Sequence, residues 1–122
     1  MNYKEKLKDR RWQQKSAKIK ERDQWKCMNP RCTSNDYSQL QVHHLEYWPG
    51  VEPWDYPDEM LVSLCHVCHS NEWQRDAIEK QLYTALKTKG FLFSDLLVLS
   101  CMIHDDDFTK SLLKTLRDFQ DG

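Results

Sequence analysis

Residues 4–24 contain neither Gly nor Pro and read as one helix, with Leu7, Arg11, Gln14, Ala17 or Lys18, and Glu21 along one side. The apolar stripe is thin, so Trp12, Ile19 and Trp25 are the expected anchors into the body. Gln39 to Leu45 alternates apolar and polar residues, the period of a half-buried strand. Residues 47–57 hold Pro49, Gly50, Pro53 and Pro57, which forbid regular structure, while Tyr47, Trp48, Trp54 and Tyr56 order the loop. Met60 to Leu64 reads as a second short strand. From His69 to about Lys89, Trp73, Ala77, Ile78, Leu82, Tyr83 and Leu86 fall at helical spacing, and Gly90 ends the helix. Beyond it, Ser94 or Asp95 caps a helix through Leu96, Leu97, Leu99, Cys101 and Met102. Asp107 or Thr109 starts another, with Leu112, Leu113, Leu116 and Phe119 on one face. These two helices are expected to form a hairpin packed on the helix before it, with Cys101 in the core. The acids after His104 read as cap and dipole residues rather than a metal patch.

The pattern gives an α+β fold in three parts: a basic N-terminal helix (1–26), a central core (27–89) and a C-terminal helical extension (90–122). A chain of 122 residues is one domain with an accessory layer. Its longest apolar stretch, Phe91 to Ile103, is interrupted by Ser94, Asp95 and Ser100 and falls short of the ~20 apolar residues needed to cross a bilayer. The amino terminus carries no secretory pattern, so a cytoplasmic location is expected, that of the host if the chain is phage-encoded. The net charge of −1 conceals an asymmetry. Residues 1–26 carry ten Lys/Arg against four acids, and residues 27–122 carry eight against fifteen, giving +6 and −7. A basic arm on an acidic body fits a nucleic-acid contact at one edge, with Lys15, Lys18, Lys20, Arg22 and Lys26 as the candidate contacts.

The chemistry concentrates between residues 27 and 73. Cys27-x4-Cys32 and Cys65-x2-Cys68 are two short pairs of the kind that hold a tetrahedral zinc ion, and in a cytosolic chain paired cysteines favour metal over disulfide. His43 and His44 lie inside this frame and His69 directly follows it, so zinc is the scaffold and the histidines are the chemistry. His66 is expected to face solvent, and the aromatic loop to cover the zinc region.

The order Trp12, Arg22-Asp23-Gln24-Trp25-Lys26-Cys27, Cys32, Val42-His43-His44-Leu45, Pro53-Trp54, Tyr56-Pro57 and Leu61-Val62-Ser63-Leu64-Cys65-His66-Val67-Cys68-His69 resembles the zinc-bearing HNH endonucleases of bacteria and their phages. The resemblance covers about residues 3–75 and leaves the last third unmatched. It implies a ββα-metal (His-Me finger) core with a zinc knuckle pair. It further implies a structural zinc on Cys27, Cys32, Cys65 and Cys68. His43 and His69 would be ligands of a catalytic divalent ion (Mg or Mn, with Ni or Zn also compatible), and His44 the general base. The products would be 5′-phosphate and 3′-hydroxyl ends.

Two positions depart from the family pattern. Met60 stands where the motif has the Asn that orients the base, leaving a backbone carbonyl in the loop, Asp58 or Glu59 to do so. Trp73 stands where many relatives place a further ligand, with Glu72, Asn71 or water as substitutes. The resemblance therefore implies a metal-dependent hydrolase acting on DNA with low sequence selectivity, RNA being left open. The alternative is a catalytically degenerate HNH-fold module that binds nucleic acid or a partner in a larger defence or phage complex. The tail, 91–119, is expected to serve a protein partner or self-association, and no membrane is involved.

Overall fold

The structure is a computed structural model and describes residues 1–119. The amino-terminal helix is two helices, α1 (Tyr3–Lys6) and α2 (Arg10–Arg22). Asp9 separates them, because its carboxylate accepts the Arg11 backbone N–H and caps α2 instead of letting the first helix run on. At its far end α2 closes through a left-handed turn. Gln24 N–H donates to Glu21 O and Trp25 N–H to Lys20 O, with φ of 58° and 56° at Gln24 and Trp25. Two consecutive non-glycine residues in that region are uncommon, and they turn the chain sharply into Cys27.

Two strands, β1 (Gln41–His44) and β2 (Leu61–Leu64), pair antiparallel with His43 opposite Val62 and His44 opposite Leu61. Two 3-10 turns, Pro53–Asp55 and Asp58–Met60, interrupt the loop that the prolines were expected to keep irregular. The pleat divides the body in two. On one face Val42 and Leu61 join Trp12, Ile19 and Tyr56, with Trp48, Val51, Trp54 and Met60 around them. On the other, Leu64 joins Leu40, Cys27, Cys65 and Cys68. Ile19 and Leu61 are fully buried, worth roughly 1.5–3 kcal/mol each in transfer free energy. The aromatic loop thus packs on the α2 face, not over the cysteines. Trp25, an expected anchor, is 53% exposed and donates its indole N–H to Glu21.

The outer edge of β2 is covered by side chains from the end of α2. Ser63 N–H donates to Asp23 Oδ2 at 2.9 Å, and Arg22 Nη2 donates to Leu61 O at 2.7 Å. Met28 N–H donates to Ser63 O. A two-stranded sheet with one edge occupied in this way leaves only β1 open along its length.

Helix α3 (His66–Asn71) begins inside the second cysteine pair, three residues earlier than expected, because Cys65 takes the cap position. The chain divides at Glu72, with residues 1–72 forming one unit and a second beginning at Trp73. The second holds α4 (Arg75–Thr88), α5 (Phe93–Met102) and α6 (Asp106–Asp118). Gly90 at φ +95° closes α4, with Gly90 N–H to Lys87 O and Phe91 N–H to Leu86 O. Leu92 precedes α5 and donates its N–H to Asp95, while Asp105 caps α6 by accepting from Phe108 N–H. None of the three helices has a buried residue, although Leu86, Leu96, Leu99, Phe108 and Leu112 are half-buried, and Cys101 is exposed rather than core.

Candidate metal centre and histidine cleft

The four cysteines converge. Among the described residues they are the one group of three or more His, Cys, Asp or Glu side chains placed to hold an ion, with all four sulfurs within 4.8 Å of one another. Cys32 and Cys65 Sγ are 3.7 Å apart, against an edge of roughly 3.8 Å for a tetrahedron with Zn–S bonds of ~2.3 Å. The donor set therefore fits a structural zinc. Asn29 Nδ2 donates to Cys68 Sγ at 3.3 Å, Ser34 Oγ lies 3.2 Å from Cys65 Sγ, and Cys68 N–H points at Cys65 Sγ. These polar neighbours favour thiolate, and the Asn35 backbone N–H followed by the Ser34 hydroxyl draws the Cys32 thiol down to about 6. Burial instead pushes the Cys68 thiol up to about 12, so binding an ion there displaces a proton.

His43 and His44 diverge because they are neighbours on a strand. His43 faces α3, where its ring meets His69 edge to face at a centroid distance of 5.2 Å and its Nε2 lies 3.6 Å from Glu72 Oε2. His44 faces α2, stacked on Trp12 at 5.0 Å and edge-on to Tyr56 at 4.5 Å. Its Nε2 is 3.2 Å from Pro53 O. A carbonyl only accepts, so this bond places the proton on Nε2 and leaves the lone pair on Nδ1. Burial lowers the His44 pKa below its ordinary 6.5 against the opposing pull of that carbonyl, keeping the ring neutral at pH 7. Tyr56 is held in turn, donating its hydroxyl to Trp48 O and accepting from Trp48 N–H.

All three histidines line one cleft of about 720 Å³ along the open edge of β1, with Gln13 and Lys20 on the α2 wall. Two of its features answer the departures noted in the sequence. Of the orienters considered for His44, the loop carbonyl of Pro53 is the one in contact. Asp58 is engaged by Lys15 and Lys18, whose hydrogen bonds, Lys15's first, hold its carboxyl down to about 2. Of the substitutes for Trp73, Glu72 is the one beside His43, and Trp73 itself is 79% exposed. Met60 meets β1 through its backbone, accepting from Leu45 N–H.

The basic arm is less free than its composition suggests. Arg22 forms a two-pronged pair with Asp23 and donates to Asp58 O and Leu61 O. Lys20 lies over the Trp25 ring at 5.8 Å, and Lys26 is exposed. His66 is exposed at the start of α3. The contacts of Asn29 and Ser34 to the thiols were missed in the sequence, although Asn29 sits two residues after Cys27 within the knuckle turn. The stacking of Trp12 on His44 carried no sequence signal at all. No protein-family model, curated protein or solved structure matches the chain.

Proposed function

We propose that the cleft is the active site of a metal-dependent, HNH-type endonuclease that hydrolyses DNA phosphodiester bonds with low sequence selectivity, on a ββα-metal core scaffolded by zinc. The observation that carries this reading is the common cleft. It brings a neutral, tautomer-fixed imidazole together with a second pair of imidazoles backed by a carboxylate. Hydrolysis needs a water deprotonated near neutral pH, and His44 Nδ1 is the acceptor for its proton. The water oxygen attacks phosphorus, the P–O3′ bond breaks and the departing 3′ oxygen takes a proton from solvent, leaving a 5′-phosphate and a 3′-hydroxyl. His43 and His69, with Glu72 beside them, are the residues that would hold a divalent ion. When bound, it supplies Lewis-acid stabilisation of the phosphate and of the departing oxygen. Lys20 lines the cleft wall, and in this reading its ammonium meets the phosphate backbone.

The second reading, a degenerate module that binds nucleic acid or a partner without turnover, draws support from Met60. Its side chain packs against the apolar cluster and offers imidazole no acceptor. Nicking of supercoiled plasmid with Mg or Mn separates the two. The hydrolase reading expects wild type to cut and His44→Ala to lose at least a hundredfold in rate, with zinc content retained as the check on folding. Silence in both, or equal cutting, moves the binding module to the front.

A further inference from the structure

The histidine cleft has an aromatic side. Tyr56 stands edge-on to His44 at 4.5 Å, and Tyr3 and Tyr47 line the same cleft. His43 and His69 lie away from them, because β1 turns His43 towards α3. Partial burial raises the Tyr3 phenol above its ordinary pKa, and the Tyr56 and Tyr47 phenols raise it further, which puts both within electrostatic reach of it. Tyr56 is 3% exposed and committed to packing, whereas Tyr3 is 53% and Tyr47 73% exposed. The loop that presents Tyr47 is ordered. Trp48 N–H donates to the Tyr56 hydroxyl at 2.7 Å, Trp48 stacks on the Tyr56 ring at 5.1 Å, and Val51 N–H donates to Trp48 O. A tyrosine on such a loop has only two side-chain torsions and loses little entropy when another ring stacks on it.

The surroundings select that ring. Lys20 on the α2 wall, Lys4 next to Tyr3 and Lys8 just after α1 form no ion pair with any described residue. Cations set among exposed aromatic rings suit a single-stranded polynucleotide, the ammonium groups meeting phosphates and each ring taking the face of a base. A base inside a duplex has both faces covered by its neighbours and must leave the stack to offer one. The cleft volume of about 720 Å³ is that of a small-molecule pocket, which admits a nucleotide and not a duplex. Stacking is tolerant of sequence, in keeping with low selectivity.

We propose that Tyr3 and Tyr47 form a stacking site for an unpaired nucleobase beside the phosphate that reaches His44. Single-stranded or locally unpaired DNA is then the substrate class of this cleft. The inference rests on the nucleic-acid reading of the cleft, and binding in chelator tests it apart from hydrolysis. The probes are oligothymidine, an abasic strand with the same number of phosphates, and a fully paired duplex, each titrated with the full chain by fluorescence anisotropy. Tyr47→Ala should weaken oligothymidine about tenfold and change the other two probes by less than about twofold, and Tyr3→Ala should do the same. Tyr47→Phe, which keeps the ring, should keep the wild-type affinity; zinc content reports folding in each variant. An abasic strand bound as tightly as oligothymidine, or a Tyr47→Ala loss shared equally by all three probes, overturns the stacking site. Either result leaves the hydrolase standing if plasmid is nicked. An uncut plasmid with oligothymidine held through Tyr47 removes the hydrolase and keeps the stacking site, and no binding of any probe overturns both.

Discussion

His43 and His44 share a backbone and differ in everything else, because a strand sends adjacent side chains to opposite faces. Packing between Trp12 and Tyr56 depresses the His44 pKa below 6.5, so the folded chain binds fewer protons there than the unfolded chain does. Stability from this group is therefore present above the unfolded value of about 6.5 and is lost as pH falls through the lower folded value. Urea midpoints at pH 7.5 and pH 5 should show a drop in wild type that is smaller in His44→Phe. An equal drop in both would remove the buried neutral imidazole from the account. The two-histidine signal was legible in the sequence because it is local. The partners that set the charge state of His44 were not legible, because Trp12 and Pro53 reach it through tertiary packing.

Among the elements, the end of α2 carries more than a helix terminus usually does. Burial raises the Asp23 carboxyl, but the Arg22 guanidinium and the Ser63 backbone N–H outweigh it and hold its pKa below the usual carboxylate range. The charge pattern marked Arg22 as a phosphate contact. What composition could not reveal is that Asp23, 6% exposed, fixes that guanidinium against β2 and closes the strand's outer edge. Asp23→Ala should thus destabilise the chain by about 2 kcal/mol, the scale for leaving the buried Ser63 N–H without its charged acceptor. It would show as a lowered denaturant midpoint; a change below about 0.5 kcal/mol would mean that the edge is held by Met28 and packing alone. The cysteine pairs and both strands were readable from spacing and alternation. The break at Asp9 and the early start of α3 were decided by caps, which compete with helix propensity residue by residue. The shallow burial of the C-terminal helices was unreadable for a different reason: amphipathic periodicity shows which face wants cover, never how deep that cover is.

At the scale of the whole molecule, five of the ten cations in the +6 arm are paired where they lie. Lys6 pairs with Glu52, Arg11 with Asp9, Lys15 and Lys18 with Asp58, and Arg22 with Asp23. Lys4, Lys8, Arg10, Lys20 and Lys26 form no ion pair with any described residue and are the cations left to displace counterions from a nucleic acid. Each phosphate neutralised contributes about −0.9 to the slope of log K against log salt on duplex DNA, so five contacts set a ceiling near −4.5, whereas all ten basic residues would approach −9. Equilibrium binding of a duplex to the full chain in chelator, titrated from 50 to 200 mM salt, reads that slope directly. A value between about −3 and −4.5 that shrinks in Lys20→Ala places the duplex along the cleft wall. A value near −7 means that the Asp58 and Glu52 pairs open when DNA binds, one near −9 that the Asp9 and Asp23 pairs open as well, and one near zero takes the arm out of the interface. By occupying Lys6, Lys15 and Lys18, three of the arm's ten cations, the acidic body lowers the charge open to a polyanion, and of the five left unpaired Lys20 is the one on the wall of the histidine cleft.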